Sequence, residues 1–263
     1  AKNIGGDPTL AQRAANLAKC DLLSNLVGEF PELQGSIGRY IAEVNGENPE
    51  AARAIEEQYL PRYAGDRLPE TRTGQAVAIA DKLDTVAGIF AIGQKPTGDK
   101  DPFALRRACL GLMRVIVERE LDIVLVPHIR SALLALPLKE KDQEALVKEI
   151  YEFLLERLRA YYLEAGIRAD VYEAVRTRNP GKPLDFQRRV QAVNAFLDLP
   201  EAASLAVANK RIANILRQAG GKVAQDPRPE LFRDAEEQAL HAKILQLKDA
   251  VLPRIHSGDY SGA

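Results

Sequence analysis

Two adjacent arginines at the head of an amphipathic segment are the first residues here whose type and spacing point to chemistry. They lie in Gly98-Asp99-Lys100-Asp101-Pro102-Phe103-Ala104-Leu105-Arg106-Arg107-Ala108. Asp101 is suited to accept the first free backbone N–H groups of a helix, and Pro102 fits the first helical position. The turns that follow then lift Arg106 and Arg107. Helix N-termini attract anions, so the pair is a candidate phosphate contact, and Arg114 can share its face. In the second half Arg176, Arg178, Lys182, Arg188, Arg189, Lys210, Arg211 and Arg217 recur between acidic neighbours. Arginine forks match phosphate oxygens bidentately. Such contacts hold nucleic acid without reading its sequence. The alternative for each of these cations is a solvated, ion-paired surface.

Acids and a thiol make a second constellation. Cys20-Asp21 falls late in the first helical pattern, and Asp81 falls inside a later long one. A metal needs several ligands converging at about 2–2.5 Å, and two carboxylates with one thiol are a poor set. None of His128, His241 and His256 precedes Cys20. The simpler reading makes Cys20 a small core residue and leaves Asp21 and Asp81 to structural hydrogen bonds or ion pairs. Asp81 and Asp84 are three apart and can share a helical face. They could divide acid and base roles or pair with Lys82 as a solvated edge. The chain lacks a Gly-x-x-x-x-Gly-Lys-Ser/Thr loop, a Gly-x-Ser-x-Gly elbow and a histidine triad. No catalytic residue and no metal ligand are assigned.

The elements that must position these groups are helical. Asp7-Pro8 reads as a cap with a first-position proline, followed by Leu10, Ala14, Leu17 and Ala18 on one face. Ile79, Leu83, Val86 and Phe90 mark a helix from Gly74 to Ile92, with Gly93 as its stop. Leu105, Leu112, Val115 and Ile116 mark another. Residues 121–126 suit either a short strand or a buried connector. Pro127 and Pro137 bracket a domain boundary. Beyond it Ile150, Phe153, Leu154 and Leu158 form one stripe, and Phe186, Val190, Val193 and Leu197 the next. Leu205, Ile212, Ile215 and Leu216 form a third, and Leu240, Ile244, Leu247 and Val251 the last. Breaks are expected at Asn179-Pro180-Gly181 and from Gly220-Gly221 to Pro229. The expected class is all-α, in two domains over 1–130 and 131–263.

Composition bounds the function. The 263 residues carry a net charge of −1 with 28% charged side chains, which excludes a histone-like basic binder but allows a local basic face. No apolar run reaches the ~18 residues of a membrane span. Two cysteines make no disulfide framework. A reducing cytoplasm is the expected compartment, with no membrane partner. The missing initiator Met suits a fragment or a processed chain.

Three segments carry a family resemblance: the Asp101-Pro102-Phe103-Ala104-Leu105-Arg106-Arg107 string, Ala78-Ile79-Ala80-Asp81-Lys82-Leu83-Asp84-Thr85-Val86-Ala87-Gly88-Ile89-Phe90, and Ala208-Asn209-Lys210-Arg211-Ile212-Ala213-Asn214-Ile215-Leu216. In that order they resemble the β subunit of bacterial heterotetrameric glycyl-tRNA synthetase, and the similarity runs over nearly the whole chain. Glu29-Phe30-Pro31-Glu32-Leu33-Gln34-Gly35 is a further tag of that family. The resemblance implies an HD-like helical domain in which Cys20, Asp21 and Asp81 occupy degenerate metal positions. It implies a DALR-type anticodon-binding bundle after it, truncated at its C-terminus. The expected role is tRNA binding through Arg106, Arg107, Arg114, Arg188, Arg189, Lys210 and Arg211, in support of ATP-dependent attachment of glycine to tRNA-Gly. No cofactor is expected here; ATP and Mg2+ are implied at the separate α subunit. The implied partners are tRNA-Gly, that α subunit and a second β subunit in an α2β2 assembly. The chain itself is expected to be an internal or C-terminal piece. The alternatives are an HD-type metal phosphohydrolase using Asp21 and Asp81, and an RNA-independent scaffold that docks a subunit.

Overall fold

The computed structural model describes residues 1–137, 140–178, 180–218 and 227–263, with the backbone alone for 140–142. The expected breaks at Asn179 and Gly220-Gly221 fall outside the described residues. Twelve α-helices and no strand occur among the described residues, so the chain is all-α. They are α1 (Pro8–Leu17), α2 (Asn25–Glu29), α3 (Ser36–Val44), α4 (Pro49–Glu57), α5 (Arg72–Ala91) and α6 (Leu105–Glu118). There follow α7 (Leu125–Leu134), α8 (Glu140–Glu164), α9 (Ala169–Arg178), α10 (Pro183–Leu197), α11 (Glu201–Gln218) and α12 (Ala235–Ser257). No helix among the described residues is long and apolar enough to cross a membrane.

By mutual contact the chain divides into two units. One comprises Ala1–Ile167 with Asn179–Phe186, the other Arg168–Arg178 with Gln187–Ala263. Residue 130, where the sequence reading divides the chain, lies within α7. The helix buries Leu125, Ile129 and Leu133 at a spacing of four. Its preceding segment is a connector rather than a strand, with Leu121 and Ile123 buried.

In the first unit α5 is the central helix and packs against α1, α4, α6, α7 and α8. Surrounded in this way, it buries Val77, Ala78, Ile79, Leu83, Val86, Ala87 and Phe90 over most of its circumference. At the first helix the expected cap is observed: the Asp7 carboxylate accepts from Thr9 N at 2.7 Å and from Leu10 N at 3.3 Å. On α5 the cap is Thr71, whose Oγ1 accepts from Gly74 N at 2.9 Å. This cap starts the helix two residues before Gly74. The stripe on α8 is buried at Ile150, Leu154 and Leu158, while Phe153 tilts against Phe90 with centroids 5.3 Å apart.

The second unit is built from α9, α11, α12 and most of α10. Val171, Tyr172 and Val175 of α9 and Val190 of α10 are buried. The apolar stripes of α11 and α12 are not. Leu205, Ile212, Ile215, Leu216, Leu240, Ile244 and Leu247 are all exposed, and Val251 is half-buried.

Candidate functional site

The acid and thiol positions are organised by an early helix end. The sequence reading carries the first helix through Cys20-Asp21, but α1 stops at Leu17 and Lys19 takes the left-handed backbone region at φ 68°. Cys20–Leu23 then form a 3-10 turn. This turn sends Asp21 inward and Cys20 outward. Cys20 is therefore exposed rather than a core residue, and the buried thiol is Cys109.

Both oxygens of the buried Asp21 carboxylate are engaged. One accepts from Gly35 N at 2.7 Å, the other from the Tyr59 hydroxyl at 2.9 Å. Gly35 closes the Glu29–Gly35 tag for a steric reason. Its φ is +86°, and a Cβ there would fall 2.9 Å from Tyr59 Cδ2. Asp81 pairs with Lys19 Nζ at 2.9 Å, and that ammonium lies 4.2 Å from the centre of the Tyr59 ring. Burial, then the bond and charge of Asp21, hold the Tyr59 phenol protonated well above its ordinary range. Cys20 and Asp21 border a cavity of about 180 Å³ with Asn45 and Glu47. A carboxylate filled by two donors and another neutralised by an ammonium do not fit a metal ion. Among the described residues no three His, Cys, Asp or Glu side chains converge as a ligand set.

Two groups beside this centre have no signature in the sequence. Lys82 is not part of a solvated edge with Asp81 and Asp84. Its side chain is buried, and Nζ donates to the carbonyls of Gln58 at 3.1 Å and Leu60 at 2.7 Å. Burial lowers its pKa to about 8. The α4 helix ends at Glu57, so this cation meets carbonyls near a helix C-terminus. Glu57 is also buried. It accepts from Thr71 Oγ1 at 2.6 Å, from the N–H groups of Glu70 and Thr71, and from Arg53. A Cβ on Gly74 would lie 1.9 Å from Glu57 Oε2. The carboxylate reaches the N-terminus of α5 because Gly74 has no side chain. The second of two adjacent glutamates in Ile55-Glu56-Glu57-Gln58 gives no hint of this.

The basic head of α6 differs from its expected register. The helix begins at Leu105, and Pro102-Phe103 form a turn before it. Ala104 adopts φ 53°, which folds Asp101 back beneath the helix. The Asp101 carboxylate accepts from Leu105 N at 2.8 Å and from Arg106 N at 2.9 Å. The chemistry of the cap is as expected, but the protein's own anion already occupies the helix terminus. Any phosphate there must be met by side chains. Arg106 donates to the Gly98 carbonyl, whereas Arg107 is exposed. Arg114 turns inward: it pairs with Glu118 at 2.7 Å and donates to the Asp66 carbonyl at 3.2 Å.

In the second unit Arg188 is exposed on α10, and Lys210 and Arg211 are exposed on α11. Arg189 is drawn against Tyr260: its guanidinium carbon lies 4.3 Å from the ring centre and Nη2 donates to the hydroxyl at 2.7 Å. Many other cations are neutralised, as in Arg13 with Glu47, Arg39 with Glu43 and Glu56, Arg130 with Glu144, and Lys182 with Asp122. Among the described residues Arg107, Arg188, Lys210 and Arg211 form no such pair.

The described residues are all-α, with a filled acidic centre and a few surface cations that no carboxylate neutralises, and sequence comparison specifies the family. The family model of the glycyl-tRNA synthetase beta subunit matches residues 1–177. The glycine–tRNA ligase beta subunit of Pseudomonas syringae pv. tomato is 49% identical over 261 residues, covering 99% of this chain and 38% of its own length. Those of Ectopseudomonas mendocina and Acinetobacter baylyi are also 49% identical, over 100% and 98% of this chain and 38% and 37% of their own lengths. The chain belongs to the glycyl-tRNA synthetase beta subunit family, and it spans under two fifths of the length of these relatives.

Proposed function

We propose that this chain holds tRNA for a glycine–tRNA ligase, without performing the ligation chemistry itself. The observation that carries the reading is the set of exposed cations, Arg107 on α6 and Arg188, Lys210 and Arg211 on α10 and α11, that have no carboxylate partner among the described residues. Charges of this kind release counterions when they meet phosphate. Holding an acceptor end in place can supply several kcal/mol toward a reaction barrier. The joining of glycine, with ATP and Mg2+, then belongs to a separate α subunit. The filled Asp21 site supports a structural rather than hydrolytic centre, so the phosphohydrolase reading is set aside. The test is a titration of tRNA-Gly and a non-cognate tRNA at two salt concentrations. Affinity should fall steeply with salt. Arg188→Glu combined with Lys210→Glu should lower it with the helical signal intact. Full binding by that folded variant moves the RNA surface elsewhere.

A second role is favoured by a specific patch. Leu22, Leu23, Leu26, Phe30, Tyr40, Ile41 and Val44 are all exposed within one short stretch, Leu23 at 86%. Exposed apolar side chains, where they join into one surface, mark docking sites. The relatives are beta subunits by name, and we assign this patch to contact with their partner subunit. Leu23→Asp should reduce co-purification with the α subunit while leaving tRNA affinity unchanged. Unaltered co-purification removes the assignment.

A further inference from the structure

The second unit contains a pocket of about 390 Å³ lined by Ala174, Val175 and Arg178 of α9, by Arg189, Ala192, Val193 and Phe196 of α10, and by Tyr260. Its volume is in the range of small-molecule sites. The lining is unusual in kind: aliphatic walls, two aromatic rings, two guanidinium groups and no carboxylate.

The placement of Tyr260 is built rather than incidental. Gly258 ends α12 in the left-handed region at φ 77°, and the next N–H, that of Asp259, bonds back to the Arg254 carbonyl at 2.9 Å. This tight reversal returns the chain so that the Arg189 guanidinium lies over the Tyr260 ring. A Cβ on Gly258 would also meet Arg188 Nη1 at 3.1 Å. Arg188 therefore stands next to the same turn, outside the pocket. Asp259, the chain neighbour of Tyr260, accepts from Gly262 N at 2.9 Å, and Glu173, the chain neighbour of Ala174, lies 3.8 Å from Arg176.

The geometry points to a nucleotide site: a flat base in the aliphatic slot, stacked on Tyr260 or Phe196, with its phosphate at Arg178 and Arg188. Aromatic rings and guanidinium planes are the surfaces on which unstacked bases are held, and every base offers a face to them. An apolar peptide side chain would suit the walls but would bring no anion to Arg178 and Arg188. The pocket deepens the tRNA-holding reading and rests on it: the nucleotide is one splayed residue of an RNA strand.

The experiment uses the full chain and a single-stranded oligoribonucleotide carrying one 4-thiouridine. After irradiation the crosslinked peptide is identified, and free 4-thiouridine monophosphate serves as a parallel probe. Crosslinking at Tyr260 or Phe196 from the oligomer, weak from the monophosphate, is the expected result. Crosslinking there from the monophosphate alone keeps the slot but overturns the RNA source. Tyr260→Leu should weaken oligomer binding by about 5- to 150-fold with an unchanged salt slope, because no phosphate contact is lost. Tyr260→Phe, which keeps the ring, should retain most of the affinity, so a loss in the first variant cannot be put down to misfolding. Salt-sensitive tRNA binding that is indifferent to Tyr260→Leu, with crosslinks confined elsewhere, overturns the pocket and leaves the tRNA reading standing. Absence of any RNA binding by the unaltered chain overturns both.

Discussion

The Tyr59 hydroxyl donates a 2.9 Å hydrogen bond to the buried Asp21 carboxylate, joining the end of α4 to the turn after α1. The bond satisfies an anion that would otherwise be stranded. Tyr59→Phe removes one of the two donors on Asp21 and leaves the shape almost unchanged. An unsatisfied buried acceptor costs about 1–3 kcal/mol, so urea unfolding should show a loss of that size. Saturating Mn2+ should leave the melting temperature unchanged. A marked metal-induced rise, abolished by Asp81→Ala, would restore the hydrolase reading.

Gly74 and Glu57 make a second pair whose chemistry is steric. With Glu57 Oε2 only 1.9 Å from the place a Cβ would take, Gly74→Ala must push the carboxylate off the head of α5. Overpacking of this kind costs about 1–3 kcal/mol, and the loss of the carboxylate bonds to Thr71 adds to it. Shortening the acid in a Gly74→Ala, Glu57→Asp double variant should recover part of the stability. No recovery in chemical denaturation would locate the strain elsewhere.

Lys82 makes stability depend on pH in the less common direction. Its folded pKa of about 8 lies below the ordinary 10.5. Between those values the unfolded chain binds more protons than the folded one, so stability rises with pH across the window. Below pH 8 the fold carries the full cost of the buried ammonium; above 10.5 both states are neutral and the cost is gone. Lys82→Met cannot titrate. From pH 8 to 10.5 the parent chain should gain on this variant by on the order of 3 kcal/mol at most. A stability difference that is flat with pH would show that the amine is solvated.

Arg106 and Arg107 should separate cleanly. Arg106 is tied to the Gly98 carbonyl and Arg107 is exposed. Arg107→Ala should weaken different tRNAs about equally and flatten the salt dependence by roughly one unit of slope, with little change in stability. Arg106→Ala should instead lower the melting temperature and leave the slope nearly intact. The same slope change in both would mean that the carbonyl contact is released on binding.

Much of this fold was legible because helices announce themselves by spacing and caps. Asp7-Pro8, the Ile79 to Phe90 stripe and Ile150, Leu154 and Leu158 all appear where the sequence places them. The errors are local and physical. Asp101 caps α6 from four residues before its first turn, which required a left-handed Ala104 that no propensity favours. Cys20 faces out because Lys19, also left-handed, ends α1 early. At the site, exposed charges such as Arg107 and Lys210 could be picked out by type, but Arg114 could not be told from them. Glu118 is its i,i+4 neighbour, but its inward turn also depends on the Asp66 carbonyl, and a contact 48 residues away leaves no periodic trace. Lys82, Glu57 and Tyr59 were missed for the same reason. Tyr260 was missed because only the reversal at Gly258 brings it to Arg189.

The turn that exposes Cys20 and the core that encloses Cys109 give this chain an internal chemical clock. Cys109 has no accessible surface, and burial pushes its thiol well above the ordinary range. Cys20 faces solvent. A thiol-directed reagent therefore meets one address in the native state and a second only when α6 leaves its packing. The first modification, at Cys20, should be rapid and complete, and can carry a fluorophore next to the Asp21 centre. The second should advance only as often as the first unit opens. Its rate then times the opening of the core without any denaturant, and it should slow whenever a bound partner holds that core shut.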